Sequence, residues 1–181
     1  MTRLPVIGIC GKARSGKDTV AEAILRMGGG SYRYSFADPL RAMMRAGFGI
    51  DADDPYWQRH KEDLAPELCG RSLRHALQTL GTEWGREHIH PDVWVHLAAD
   101  ELATRGPGMV IADVRFGNEA AWIRGVGGLL IHLSRPGAPA VRQHLSEMGV
   151  GREPGDPLII NDGCIEELYE AVHDILFGRQ W

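Results

Sequence analysis

Apolar residues come along this chain in two kinds of run, and their alternation predicts its elements. Leu4 to Cys10, Met109 to Ala112, Leu129 to Leu133 and Pro157 to Ile160 are short and almost unbroken, as strands buried on both faces are. Tyr32 to Phe36 alternates and carries aromatics, which makes a fifth strand. The remaining apolar residues recur at helical spacing. Val20, Ala21, Ile24 and Leu25 form one stripe, stopped by the Gly28-Gly29-Gly30 run. Leu40 to Ala46 follows Pro39, with Asp38 as its cap or as a ligand-facing group. Ser72 can cap a helix showing Leu73, Ala76, Leu77 and Leu80, which continues or restarts through Glu83 to Glu87. Val93, Trp94, Leu97, Ala98 and Leu102 follow Pro91, a short helix begins at Asn118, and a broad stripe runs from Ile165 to Leu176. Helices between the strands make the sheet parallel and its connections right-handed, the pattern of an α/β fold.

Two stretches interrupt this regularity. Asp38 to Gly108 is a mostly helical insertion between the second and third strands, and within it Gly47 to Gly70 reads as a charged loop with one irregular helix. Trp57 reads there as an anchor packing the loop onto the body. Gly137 to Asp156 holds Pro, Gly, Arg142, His144 and Arg152 with little apolar patterning, which suits a lid.

A chain of 181 residues supports one sizeable core, so a single domain over 1–181 is expected, with 38–108 as insertion and 137–156 as lid. The formal charge of −4 gives no global field for a nucleic acid. Cys10, Cys69 and Cys164 have no ligand spacing, and Cys10 reads as a small apolar residue ending a buried strand. No stretch reaches the roughly 18 apolar residues of a membrane span, so a soluble protein of a reducing, cytoplasmic compartment is expected.

The candidate chemistry starts at Gly11 to Thr19, G-K-A-R-S-G-K-D-T, set between the first strand and a helix. There, successive backbone N–H groups and a helix N-terminus converge on an anion. The match to G-x-x-x-x-G-K-[ST] departs at one place, where Asp18 replaces the hydroxyl residue and Thr19 follows. A carboxylate at that place can ligate Mg²⁺ or hold a metal-bound water. Asp113 ends an apolar strand about a hundred residues later, as a Walker B acid does. In an open parallel sheet the loop, Asp38, Asp113 to Arg115, Arg135 and Asn161 would all gather at the carboxyl edge.

G-K-A-R-S-G-K-D-T, S-F-A-D-P-L from Ser35, L-Q-T-L-G-T-E-W-G-R from Leu77, D-V-R-F-x-N-E from Asp113, H-L-S-E from His144 and N-D-G from Asn161 resemble the deoxynucleoside monophosphate kinases of tailed bacteriophages. The resemblance covers nearly the whole chain. It implies an adenylate-kinase-like P-loop fold with strand order 2-3-1-4-5, and transfer of the γ-phosphate of ATP to a deoxynucleoside monophosphate with Mg²⁺. Gly11, Lys12, Ala13, Arg14, Ser15, Gly16, Lys17, Asp18, Thr19 and Asn161 would then hold ATP, and Asp18, Thr19 and Asp113 would organise the metal. Lys17, Asp113, Arg115, Arg135 and Arg142 would act on the phosphoryl in flight. Arg71 or Arg74 would grip the acceptor phosphate, with Asp38, Gln78, Glu83 and Trp84 as further acceptor residues. In a phage the compartment becomes the host cytoplasm. The oligomeric state stays open, a homodimer included. Two other readings compete: a kinase of the dephospho-coenzyme A or phosphomevalonate type, and a nucleotide-binding regulator without catalysis.

Overall fold

The computed structural model describes residues 4–137 and 150–178. The chain divides into two compact units, one formed by the residues up to Ser35 together with those from Ala98 onward, the other by Phe36 to Leu97.

The first unit is a parallel sheet with helices on both faces. Strand β1 (Val6–Cys10) is buried along its length and leads into helix α1 (Lys17–Arg26), after which β2 (Tyr32–Tyr34) is short. Strand β5 (Met109–Val114), helix α6 (Gly117–Gly125), strand β6 (Leu129–Ser134), strand β7 (Leu158–Ile160) and helix α7 (Ile165–Phe177) complete it. The strands lie in the order β2-β5-β1-β6-β7. Counted along the chain this is 2-3-1-4-5, as the resemblance implies. β1 pairs in parallel with β5 on one side and β6 on the other. Two crossovers of this kind leave β1 central, which explains its five fully buried residues.

One face of the sheet carries α1 and α7. Ile7, Ile9, Val110, Ala112, Ile131, Leu133 and Ile159 meet Val20, Ala21 and Ile24 of α1 and Leu168, Val172 and Leu176 of α7 in one core cluster. On the other face, Ile123 of α6 packs where β1 has only Gly8. Each Val, Leu or Ile side chain so buried contributes about 1.5–3 kcal/mol relative to leaving it exposed.

The second unit is helical. It holds α2 (Asp38–Phe48), α3 (Pro55–Arg59), a 3₁₀ turn (Pro66–Leu68) and α4 (Leu73–Thr79), with a two-stranded antiparallel pair formed by β3 (Leu64–Ala65) and β4 (Arg71–Ser72). A π-helix (Leu80–Ile89) follows α4, and α5 (Val93–Arg105) follows that, with the unit boundary inside it. Met44, Ile50, Ala52, Ala65, Leu68 and Leu73 form this unit's core, and Trp57 packs against them as an anchor. Ser72 caps α4, its hydroxyl accepting from the His75 N–H.

Three expectations change here. The cap of α2 is Ala37 and not Asp38, which sits one residue inside the helix and pairs with Arg41 at 2.7 Å. The stretch after α4 continues as a π-helix in which Gly85 lies against the buried Trp94 ring, so closely that a Cβ would overlap it. The wider turn is visible in the His90 N–H, which donates to the Gly85 carbonyl five residues back at 3.0 Å. The charged loop contains, besides its short helix, strand β3, which pairs with β4 just beyond its end.

Candidate active site

β1 and β5 are adjacent and parallel, and Cys10 stands opposite Val114. The loop that leaves β1 and the carboxylate of Asp113 therefore emerge at the same edge of the sheet. Gly16 ends the loop in a left-handed conformation, φ 102°, and precedes α1, whose N-terminus has no side-chain cap. Arg14 is also left-handed at φ 63°, which is costly for a residue with a Cβ. Alternating backbone hand of this kind turns consecutive N–H groups toward one point, and the uncapped first turn of α1 adds its own orphan donors. The Lys17 ammonium lies over the loop and donates to the carbonyls of Gly11 and Lys12, each at 2.8 Å.

Asn161, just past β7, supports the loop from the side. Its Nδ2 donates to the Ser15 carbonyl at 2.8 Å, and its backbone N–H donates to the Ser134 carbonyl at 2.7 Å. A Cβ on Gly16 would come within 2.7 Å of the same Nδ2. Gly16 thus serves both the left-handed turn and the close approach of Asn161. Asp18, on the first turn of α1, is paired with Arg33 of β2, and both side chains are largely exposed.

Asp113 is half-buried near the end of β5, and its Oδ2 accepts a hydrogen bond from the Ser35 hydroxyl at 2.6 Å. The next residues are held from below. Glu119 of α6, 1% exposed, takes the backbone N–H groups of Arg115 and Phe116 on one oxygen at 2.8 and 3.1 Å. That bond pins the turn from which the exposed Arg115 side chain leaves. Arg135 is likewise exposed, directly after β6.

Beneath this edge lies a buried ionic cluster. Asp156 is 7% exposed and meets Arg124 of α6 at 2.5 Å and His132 of β6 at 3.1 Å, while Arg124 also holds Glu153 at 2.6 Å. Burial alone would raise the Asp156 pKa, but the bonds from Arg124, the Glu153 N–H and His132 bring it below its ordinary value. Burial lowers His132, an effect that Asp156 only partly opposes. The Cys10 thiol is pushed up to about 11 by burial, with Asp156 adding to it, so it stays protonated and unreactive at neutral pH.

These groups suit a polyphosphate and a hard cation. The Ser15 hydroxyl is 1% exposed with no partner, a buried polar atom at the loop itself. Loop N–H groups, an uncapped helix end and an ammonium group are donors for anionic oxygen. Among the described residues no three His, Cys, Asp or Glu side chains converge as a metal cage. Mg²⁺ takes one or two protein carboxylates and fills its remaining positions with water and phosphate oxygens, and Asp18 and Asp113 are carboxylates at this edge.

Of the residues singled out from the sequence, Gly11 to Thr19, Asp113, Arg115, Arg135 and Asn161 belong to the first unit and lie at the carboxyl ends of its strands. Asp38, Arg71, Arg74, Gln78, Glu83 and Trp84 belong to the second unit. Arg74 is paired there with Glu62, and Trp84 is 40% exposed on the π-helix. Arg142 and most of the 137–156 stretch lie outside the described residues. Sequence reasoning did not single out Ser35, Arg33 or Glu119. Ser35 and Glu119 stand inside motifs that it quoted, but Phe116 at the cap position hides the capping role of Glu119, which takes the Phe116 N–H.

A family model for deoxynucleotide monophosphate kinase matches residues 58–172, well over half of the chain. This protein belongs to the deoxynucleotide monophosphate kinase family. A homologue of that family from Acanthamoeba polyphaga mimivirus is 32% identical over 182 residues, covering 92% of this chain and 93% of the viral one. The deoxynucleotide monophosphate kinase of Escherichia phage RB69 is 34% identical over 109 residues, 58% of this chain and 45% of that longer protein. The phosphate loop precedes the span that the family model matches. No helix among the described residues is long and apolar enough to cross a membrane.

Proposed function

We propose that this chain transfers the γ-phosphate of ATP to a deoxynucleoside 5′-monophosphate, giving ADP and the diphosphate. The observation that carries the reading is the juxtaposition of an uncapped α1 N-terminus and Lys17 with Asp113 on the neighbouring strand. ATP bound with Mg²⁺ supplies the phosphoryl group. The loop N–H groups and Lys17 bind and orient its phosphate oxygens, and Lys17 then leaves its carbonyl partners for anionic ones. Asp113 and Thr19 would hold the metal when it is bound. Asp18 contributes charge near it while tied to Arg33. Arg115 and Arg135, with Arg142, neutralise the charge that spreads over the phosphoryl oxygens, and no covalent protein intermediate is needed.

Acceptor choice belongs to the second unit in this reading. Arg71 and Arg74 are cations suited to two-pronged contact with a monophosphate, which binds every acceptor alike. Gln78 and Glu83 can discriminate bases by their donor and acceptor edges, and the exposed Trp84 offers a stacking face. Asp38 is placed with Arg41 at the start of α2. In this reading the lid is confined to the part of 137–156 that precedes Gly151, because Gly151, Glu153 and Asp156 are held by Arg124.

Lys17→Ala and Asp113→Asn test the assignment. Each should lower kcat by about two or more orders of magnitude, the size expected when a group stabilising transition-state charge is removed. Far-ultraviolet circular dichroism should be unchanged for both. Near-wild-type kcat at saturating ATP in either variant would remove that residue from the mechanism.

A further inference from the structure

Asp113 ends the strand next to β1, but a carboxylate on a strand end can turn about its own side-chain bonds, and a metal or acceptor needs it in one orientation. The structure supplies an orienting group from a different strand. Ser35 is the first residue after β2, which pairs in parallel with β5 through Tyr32↔Met109, Arg33↔Val110 and Tyr34↔Ile111. This register brings Ser35 level with the end of β5, and its hydroxyl reaches Asp113 Oδ2 at 2.6 Å across 78 positions of sequence.

The base on which Ser35 stands is rigid. Tyr32 and Tyr34 are 8% and 7% exposed. The Tyr32 hydroxyl donates to the Gly106 carbonyl at 3.1 Å, and the Arg105 guanidinium lies 3.8 Å from the Tyr32 ring centroid. Both residues of the pair are half-buried, so water competes little for the bond.

We propose that Ser35 is a positioning residue for phosphoryl transfer, its hydroxyl fixing the plane of the Asp113 carboxylate so that the carboxylate meets the metal in one orientation. An ionised carboxylate only accepts, and the Ser35 O–H engages one oxygen of a group with about four acceptor sites. The bond therefore orients Asp113 without using it up, and it leaves the charge in place. A hydrogen bond to an ionised group is short and strong, as this one is. The proposal rests on the reading of Asp113 as the acid facing the metal.

The experiment compares Ser35→Ala and Ser35→Cys, which lose the strong donor, with Ser35→Thr, which keeps a hydroxyl. Asp113→Asn and the Ser35→Ala/Asp113→Asn double variant are measured alongside. Steady-state kinetics with ATP, Mg²⁺ and an acceptor give kcat and both KM values. Calorimetry gives the affinity for ADP with Mg²⁺ and for ADP in the presence of a chelator. Losing an oriented charged hydrogen bond should lower kcat by about tenfold in the Ala and Cys variants and leave the acceptor KM within about twofold. Affinity for ADP should fall with Mg²⁺ present and stay unchanged with the chelator. The Thr variant should recover kcat to within about threefold of wild type, and it carries the test if the Ala variant fails to fold. In the Asp113→Asn background Ser35→Ala should add nothing.

Wild-type kcat in both donor-deficient variants would overturn the proposal, as would a Thr variant as slow as Ala. A loss confined to the acceptor KM would mean that Ser35 touches the acceptor instead, and an equal loss of ADP affinity with and without Mg²⁺ would mean a general structural role. Asp113→Asn separates the two layers. If it is fully active the reading of Asp113 itself fails, whereas a slow Asp113→Asn beside an unaffected Ser35→Ala sinks only the role of Ser35.

Discussion

Asp156→Asn tests what holds the chain where it re-enters the sheet before β7. The variant keeps the volume of the side chain and removes one charge from the buried cluster. Asp156 meets Arg124 through both oxygens, Nη2 at 2.5 Å and Nε at 3.3 Å, and also takes the Glu153 N–H at 3.0 Å and His132. Removing one partner of a buried pair costs roughly 3–5 kcal/mol, because the other charge is left buried and uncompensated. The Arg124 side chain is 21% exposed and keeps Glu153, so the lower end applies, about 3 kcal/mol. With a urea dependence of about 2 kcal/mol/M, the unfolding midpoint should fall by about 1.5 M, read by circular dichroism. Most of that cost belongs to the stranded guanidinium, so Arg124→Met added to Asp156→Asn should recover a large part of the midpoint. A shift below about 0.3 M for Asp156→Asn, or a double variant less stable than the single one, would refute the reasoning.

The same cluster fixes a pH dependence. Both folded pKa values are depressed, so in both cases the unfolded chain binds protons first and stability is lost as pH falls. His132 begins the loss as pH drops below its ordinary 6.5, and Asp156 adds to it below 3.8. His132→Gln should flatten the upper part of the curve and leave the lower part.

Two further outcomes concern the site. Asn161→Ala removes one neutral hydrogen bond from the phosphate loop, worth about 1 kcal/mol, and should raise the KM for ATP about fivefold while the acceptor KM stays put; a change in the acceptor KM alone would contradict it. Arg74→Ala should lower kcat/KM for several deoxynucleoside monophosphates by similar factors, whereas Gln78→Ala should change their ranking, since an unpaired buried partner penalises the wrong base by about 1–3 kcal/mol. An equal loss for every acceptor in Gln78→Ala would place base selection elsewhere, with Glu83 and Trp57 next to examine.

The sequence made the first unit legible because its signals are local. Four of the five sheet strands are apolar runs and β2 alternates, and the phosphate loop is nine consecutive residues with a strand before it and a helix after it. The order of the strands is not a local property, and it came from the resemblance. What escaped was set by contacts between distant residues. Ser35 and Asp113 are 78 positions apart, and the Arg124, His132 and Asp156 cluster joins residues up to 32 positions apart on three different segments. The π-helix escaped for a different reason. A turn of i to i+5 differs from an α-turn by one residue, which no periodicity in the sequence distinguishes. The β3–β4 pair has two residues per strand, too few to show a period of two. Asp38 looked like a cap because Pro39 marks a helix start, but Pro is accepted at either of the first two positions, and the helix begins one residue earlier.

The most direct test of phosphoryl transfer to a deoxynucleoside monophosphate is product analysis by ³¹P nuclear magnetic resonance. The protein would be incubated with ATP, Mg²⁺ and, in separate samples, each deoxynucleoside monophosphate, dephospho-coenzyme A and phosphomevalonate. ADP should form in step with a deoxynucleoside diphosphate for at least one base, dephospho-coenzyme A and phosphomevalonate should remain unchanged, and a second deoxynucleoside monophosphate should compete with the first. Release of inorganic phosphate from ATP that no monophosphate redirects, or phosphorylation of a precursor in place of every nucleotide, would contradict the account.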